Sequence, residues 1–274
     1  MLEFPEASAI TAQLNETISG KRIINVVAAQ HSHKLAWYYG DPQNYHELLC
    51  NKVIKRTESH GGLVEIMAGD ACILLGDGIN LRYFVDGEKL PAKHQLFIEF
   101  EDFSSIVASV QMYGSLLAYP FGKNDNPYYL IAKEKTNPLS ENFDEVYFND
   151  IISGSEKGLS LKAFLATKQR IPGFGNGVLQ DVLFNAKMHP KKKLDTLNDL
   201  DIHTLFNSIK TTLAEMTFGG GRDTERDLFG CYGGYKTILC KSTINKPCSI
   251  CGDTLKKESY MGGNIYFCPT CQKL

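Results

Sequence analysis

The chain of 274 residues carries 29 Lys+Arg against 31 Asp+Glu, with 43% hydrophobic and 22% charged residues. That length supports two or three domains with their own cores, and that composition excludes a disordered or fibrous chain. No run of eighteen apolar residues and no basic stretch followed by a hydrophobic one is present, so a cytoplasmic protein without membrane spans is expected.

The charge is unevenly divided. Residues 1–135 hold 12 Lys+Arg and 16 Asp+Glu (−4), residues 136–240 hold 12 and 13 (−1), and residues 241–274 hold 5 and 2 (+3), which sum to the overall −2. Such a chain is not held on nucleic acid by global basicity, so any role on DNA must rest on local patches.

The chain starts "MLEFPEASAI". Pro5 suits the first turn of a helix and Glu6 its positive end. Ile10, Leu14 and Ile18 then repeat at four-residue spacing, and Ser19-Gly20 ends the helix. Glu3 and Glu6 can thus be ordinary helix-start chemistry or the edge of an active site. From Arg22 to about Lys135 the text reads as strands: "KRIINVVAA", "GLVEIM", "ACILLGDG", "LRYFV", "HQLFIEFED" and "SSIVASVQMY" are short, rich in Val, Ile, Phe and Tyr, and bounded by turn formers. These predict a β-sandwich or barrel with the first helix laid on it, as an N-terminal domain over 1–135.

Helical patterns follow over 136–240: "EVYFNDIISG", "SLKAFLATK", "NGVLQDVLFNAK" and "LNDLDIHTLFNSIKTTLAEMTF". Between two of them lies the tight turn "IPGFGN", which offers free backbone N–H groups and the Asn176 side chain to a phosphate, with Lys191 and Lys192 of "KMHPKKK" as nearby cations. The plainer reading is a helical hairpin followed by a solvated basic patch. The stretch "FGGGRDTERDLFGCYGGY" reads as a mobile loop.

Residues 241–274 carry the most specific signal. Cys248, Cys251, Cys268 and Cys271 form C-x2-C-x16-C-x2-C, two knuckles that together close a tetrahedral site for one structural zinc, with no open position for water. The intervening "LKKESYMGGNIYF" predicts a β-hairpin, hence a zinc-ribbon-like finger. Cys50, Cys72, Cys231 and Cys240 are scattered and expected as buried thiols. The whole is an α+β multidomain chain.

An N-terminal E-x-P-E, a β-sandwich, a helix-two-turns-helix with P-G-x-G-N and a four-cysteine finger ending "CPTCQ" occur together, in this order, along the whole chain. The chain resembles the formamidopyrimidine-DNA glycosylase and endonuclease VIII family. The resemblance implies a partner, double-stranded DNA with a damaged base or an abasic site, lying across the cleft between the domains with the damaged nucleotide flipped toward the N-terminus. It implies a monomer, nucleoid-associated when bound, with no membrane partner. Glu3 matches the family's catalytic glutamate and Glu6 its second motif carboxylate.

The match departs at the nucleophile. Family enzymes attack the sugar C1′ with the amine of an N-terminal proline, and Leu2 stands at that place, so Met1 is expected to be retained with its amine one residue out of register. The family's lysine, histidine and methionine positions fall at Gly62, Leu74 and near Asp77. The intercalating arginine becomes Met112, with Tyr113 as an aromatic wedge, and the finger arginine becomes Gly263 beside Asn264. Expected DNA contacts are therefore Asn176, Met112, Tyr113, Lys191, Lys192 and Asn264. A glycosylase releasing the base by hydrolysis through Glu3 is the leading expectation, with Schiff-base chemistry through Met1, Lys52 or Lys55 as its variant. A lesion-binding protein without chemistry is the second reading, and a zinc-bearing protein-interaction module the third.

Overall fold

The computed structural model describes residues 1–274. Helix α1 (Phe4–Thr17) comes first, followed by β1 (Ile23–Ala28), β2 (Ala36–Trp37), α2 (Tyr45–Leu49), β3 (Ile54–His60), β4 (Leu63–Ala68), β5 (Ala71–Phe84), β6 (Leu96–Phe100) and β7 (Ser105–Pro120). The strands form one sheet in the order β1-β6-β7-β5-β4-β3, with β2 parallel to β7. The sandwich is this single sheet folded over. The long antiparallel pair β5 and β7 runs through both halves, with a bulge between Asp77 and Ile79 where the register shifts. Ile23, Val26, Ile98 and Ile106 from one half meet Val64, Ile66, Ile73 and Leu75 from the other in a core that also takes Ile10, Leu14 and Ile18 of α1.

Two segments read as separate strands, "ACILLGDG" and "LRYFV", are thus one element. A local Gly-Asp-Gly signals a turn, but its partner β7 continues alongside and converts it into a bulge. Strand β3 escaped the strand pattern because only Ile54 and Thr57 of its seven residues are buried.

Helix α3 (Pro127–Glu134) falls inside the stretch read as strands and packs back on the sheet through Tyr129 and Ala132. Helices α4 (Glu145–Ser153), α5 (Leu161–Ala166), α6 (Val178–Asn185) and α7 (Asp199–Phe218) form a second core around Phe148, Phe164, Val182, Leu205 and Ile209. Phe4 of α1 also belongs to this second core. The finger hairpin, β8 (Lys256–Tyr260) and β9 (Gly263–Phe267), rests on α6. No helix is long and apolar enough to cross a membrane.

The stretch expected as a mobile loop is instead tied down. Leu228 is fully buried in the sandwich core, Gln13 donates to the Asp227 carboxylate at 2.8 Å, and Arg82 donates to the Asp227 carbonyl at 2.7 Å. Among the scattered thiols only Cys72 is buried. Cys50 and Cys240 are half-buried and Cys231 is exposed, its backbone N–H donating to Asp227 at 2.8 Å.

A buried polar cluster joins α3 to the sheet. Glu65 accepts hydrogen bonds from Tyr129 at 2.6 Å and Tyr119 at 3.4 Å, with His60 at 3.0 Å and Lys133 at 3.3 Å. Burial alone would raise this carboxyl, but the His60 and Tyr129 hydrogen bonds and the Lys133 charge outweigh it and hold it at about 2. A depressed carboxyl stabilises the fold fully above its unfolded value and loses that contribution as pH falls through its folded one. Thermal melts should therefore show Glu65→Gln costing about 2 kcal/mol at pH 7, with the gap to the parent closing as pH falls from about 4.5 towards 2. A gap that widens in acid contradicts this role.

Candidate functional site

The first four residues form a strap between domains. The Leu2 N–H donates to the Asp77 carbonyl at 2.8 Å, and the Phe4 N–H donates to the Gly173 carbonyl at 2.9 Å. One contact is to the β5 bulge and the other to the "IPGFG" turn. The two domains approach through glycines: a Cβ on Gly61 would lie 2.5 Å from the Pro172 carbonyl carbon, and one on Gly173 would lie 2.4 Å from the Gly62 nitrogen. Gly61 and Gly173, at φ +61° and +74°, also supply backbone conformations that side chains disfavour.

Glu3 has a double role. It is the N-cap residue of α1, where its N–H donates to Glu6 Oε2 at 3.3 Å, completing that half of a capping box. Its own carboxylate leaves α1 and accepts from Gly177 N at 2.9 Å and Val178 N at 2.6 Å, the free N–H groups at the start of α6. Helix-start chemistry and a cleft-edge position thus coexist. The "PGFGNG" glycines make room for it: a Cβ on Gly175 would lie 2.4 Å from the Glu3 carboxyl carbon, and one on Gly177 would lie 1.6 Å from Arg222 Nη1.

Arg222 completes the cluster. Its Nε and Nη2 donate to the two Glu6 oxygens at 2.9 and 2.8 Å, its backbone N–H donates to Glu6 Oε1 at 3.1 Å, and its Nη1 lies 3.4 Å from Glu3 Oε2. All three side chains are buried. Burial works against both carboxylates, and one guanidinium faces the two of them. Glu6 receives the bidentate contact and is held below the usual carboxylate range. For Glu3 burial prevails over the Arg222 charge and pushes the carboxyl up. Two neighbouring carboxyls are thereby driven apart in acidity, and the one that is easier to protonate faces the cleft.

Around Glu3 lies a cleft of about 550 Å³ that takes its walls from all three regions. Met1, Leu2 and Asp77 come from the sandwich side, Lys162, Phe174 and Asn176 from the helices, and the finger tip Met261–Asn264 closes the third side. Four of the expected DNA contacts meet here: Met112, Tyr113, Asn176 and Asn264. Met112 is exposed, while Tyr113 leans on Trp37 with ring centroids 5.7 Å apart. Asn176 Nδ2 donates to the Asn264 carbonyl at 3.0 Å and so holds the finger tip against the turn. Lys191 and Lys192 do not line this cleft; they are neutralised by Glu258 and by Asp201, the latter at 2.9 Å. The N–H groups of Gly177 and Val178, which the sequence suggested for a phosphate, are occupied by Glu3.

The amines sort as clearly. The Met1 ammonium is paired with Glu225. Lys52 is paired with Asp70, and neither Lys52 nor Lys55 lines the cleft. Two lysines line it: Lys168, exposed and paired with Glu156, and Lys162, buried, with Nζ donating to the Tyr260 carbonyl at 2.7 Å and its pKa lowered by burial. Sequence reasoning missed Lys162 because it sits in the amphipathic "SLKAFLATK" as one polar residue among several. Arg222 was missed because nothing local links it to carboxylates 216 and 219 residues earlier.

The four finger cysteines converge with all Sγ atoms within 4.8 Å of one another, with 3.9 Å between Cys248 and Cys271 and 3.4 Å between Cys251 and Cys268. A tetrahedron with Zn–S of about 2.3 Å has edges of about 3.8 Å, so these residues hold one structural zinc. The N–H groups of Ile250 and Cys271 donate to Cys248 and Cys268 sulfur at 3.4 Å each, which orients the thiolates. The finger and the segment leading into it are docked on α6 by polar side chains: Asp181 accepts from Ile238 N and Leu239 N at 2.8 Å each, and Gln180 Oε1 accepts from Tyr266 N at 2.9 Å.

Arg222→Met strands two buried carboxylates without a cation. Urea denaturation should show a loss of about 3–5 kcal/mol, of which adding Glu6→Gln restores part. A loss under about 1 kcal/mol would place the stabilisation of the strap elsewhere.

A family profile described as "Formamidopyrimidine-DNA glycosylase H2TH domain" matches residues 135–225. Over their full lengths, the chain is 27% identical to a formamidopyrimidine-DNA glycosylase of Lactococcus lactis subsp. cremoris and 25% identical to one of Listeria innocua. Among solved structures, a complex of wild-type Lactococcus lactis Fpg (MutM) with DNA containing an oxidized pyrimidine superimposes with a TM-score of 0.83 at 25% identity, covering 99% of this chain and 100% of that one. The fold is shared as well with the Fpg protein of Thermus thermophilus, at a TM-score of 0.82. With the order of strap, helix-two-turns-helix and four-cysteine finger already established, the chain carries an H2TH domain and is similar over its whole length to formamidopyrimidine-DNA glycosylases.

Proposed function

We propose that this protein binds duplex DNA at a damaged base or abasic site, takes the damaged nucleotide into the cleft, and releases the base by hydrolysis. The observation that carries the reading is the convergence of Glu3, the Asn176 turn, the Met112–Tyr113 edge and the finger tip on one cleft. The relatives' structures include complexes with abasic-site DNA and with oxidized-pyrimidine DNA. Met112 and Tyr113 are suited to enter the stack vacated by a flipped nucleotide. Asn176, Asn264 and Lys162 supply polar groups toward the sugar-phosphate chain.

The chemistry follows from which groups are free. In the resting structure the Met1 amine is engaged by Glu225 and is not turned to C1′ chemistry. Glu3 is a carboxylate at the cleft wall, beside the strap and the start of α6. As the glycosidic C1′–N bond breaks, the electron pair leaves with the base and C1′ becomes oxocarbenium-like. A water then adds its oxygen to C1′ and gives its proton to Glu3, which passes it to the departed base, leaving a neutral free base, an intact abasic strand and the Glu3 carboxylate. The raised Glu3 carboxyl suits proton transfer, and Arg222 keeps the neighbouring Glu6 ionised.

Glu3→Gln should slow base release from a damaged duplex at least about 100-fold, measured by chromatography of the free base. Affinity for a duplex carrying a tetrahydrofuran abasic analogue should change less than about threefold. Tight abasic-site binding with no base release from any tested lesion by the parent protein would favour the non-catalytic lesion-binding reading, and undiminished release by Glu3→Gln would reject the carboxylate mechanism.

A further inference from the structure

Asp77 is the carboxyl group of the cleft lining that the mechanism leaves unused. It sits at the β5 bulge with φ +63°, in the left-handed region, flanked by Gly76 and Gly78. Both glycines are needed for space: a Cβ on Gly76 would lie 2.4 Å from the Leu63 side chain, and one on Gly78 would lie 2.5 Å from the Tyr113 carbonyl oxygen. Asp77 is the position where glycine would relieve backbone strain and a side chain is kept. The bulge turns that side chain into the cleft beside Met1, Leu63 and Tyr113.

The carboxylate has one partner. Asp77 Oδ2 accepts from Ser115 Oγ at 3.0 Å, and no Lys, Arg or His nitrogen lies within 4.0 Å. Oδ1 has no hydrogen-bond partner and Oδ2 keeps a second lone pair, so both oxygens can still accept. A carboxylate without a cation repels a phosphate chain, so in a DNA-binding cleft it is tolerated where it meets N–H donors of a base. Guanine presents a ring N–H directly beside an amino N–H on its pairing edge, which matches two carboxylate oxygens with charge-assisted hydrogen bonds. Adenine and cytosine place an acceptor beside their amino group, and thymine or uracil flanks its single N–H with two carbonyls, so each of these turns lone pairs toward the carboxylate.

We infer that Asp77 is a specificity residue that reads the pairing edge of a guanine-type base, either the damaged base in the cleft or the base left opposite it. This rests on the DNA-binding reading above.

The test is fluorescence anisotropy with the full-length zinc-loaded protein and two series of duplexes. One carries tetrahydrofuran opposite G, A, C or T. The other carries 8-oxoguanine or dihydrouracil as the non-cleavable 2′-fluoro-arabino nucleotide, opposite a constant base. The parent should favour guanine by about tenfold in one series, which identifies the source. Asp77→Asn should reduce that ratio below about threefold without weakening the complexes that lack guanine at that position. Asp77→Gly, which suits the backbone at this φ, should erase the preference in the same way. Equal affinities in both series, or a preference that survives Asp77→Asn and Asp77→Gly, would overturn the inference while leaving lesion binding intact. Failure to bind any duplex would overturn the DNA-binding reading itself.

Discussion

The Arg222 guanidinium between Glu3 and Glu6 is the constraint on which the arrangement of the site depends. Its fork grips Glu6, its remaining nitrogen reaches Glu3, and Glu3 in turn caps α6. A loop residue, the first turn of α1 and the start of the helix after the "IPGFG" turn are thereby fixed to one another across the domain boundary. Arginine suits this because it stays charged when buried and presents several donors in one plane. The strap Met1–Phe4, tied to Asp77 and Gly173, closes the same joint from the other side.

The parts of this structure legible in the sequence are those whose signal is local. Helix α1 shows as Ile10, Leu14 and Ile18 followed by a glycine with positive φ. The zinc site shows because a two-residue cysteine spacing already encodes a knuckle. The β5 bulge does not, because whether Gly-Asp-Gly turns or continues is settled by β7, about thirty residues further on. The 218–235 stretch reads as mobile for a similar reason: its order comes from Leu228, Arg82 and Gln13, none of which is recognisable as a partner in sequence.

At the site, the residue types were legible and their assignments less so. Glu3 and Asn176 were singled out and both meet at the cleft, yet their resting partners are α6 N–H groups and the finger tip. Lys191 and Lys192 looked like the cations beside a phosphate, and each is spent on an acidic neighbour. Asp77 appeared in sequence only as a replacement. Its meaning depends on a missing counter-ion, which no spacing rule reveals.

The proposed chemistry uses a carboxylate centre in place of an amine centre. Leu2 is buried, and the Met1 amine is paired with Glu225. Borohydride trapping on a duplex with one abasic site, read on a denaturing gel and by peptide mass spectrometry, tests this most directly. The account predicts a bound duplex and no covalent adduct. An adduct mapping to Met1 or Lys162 would contradict it and make an amine the nucleophile of this protein.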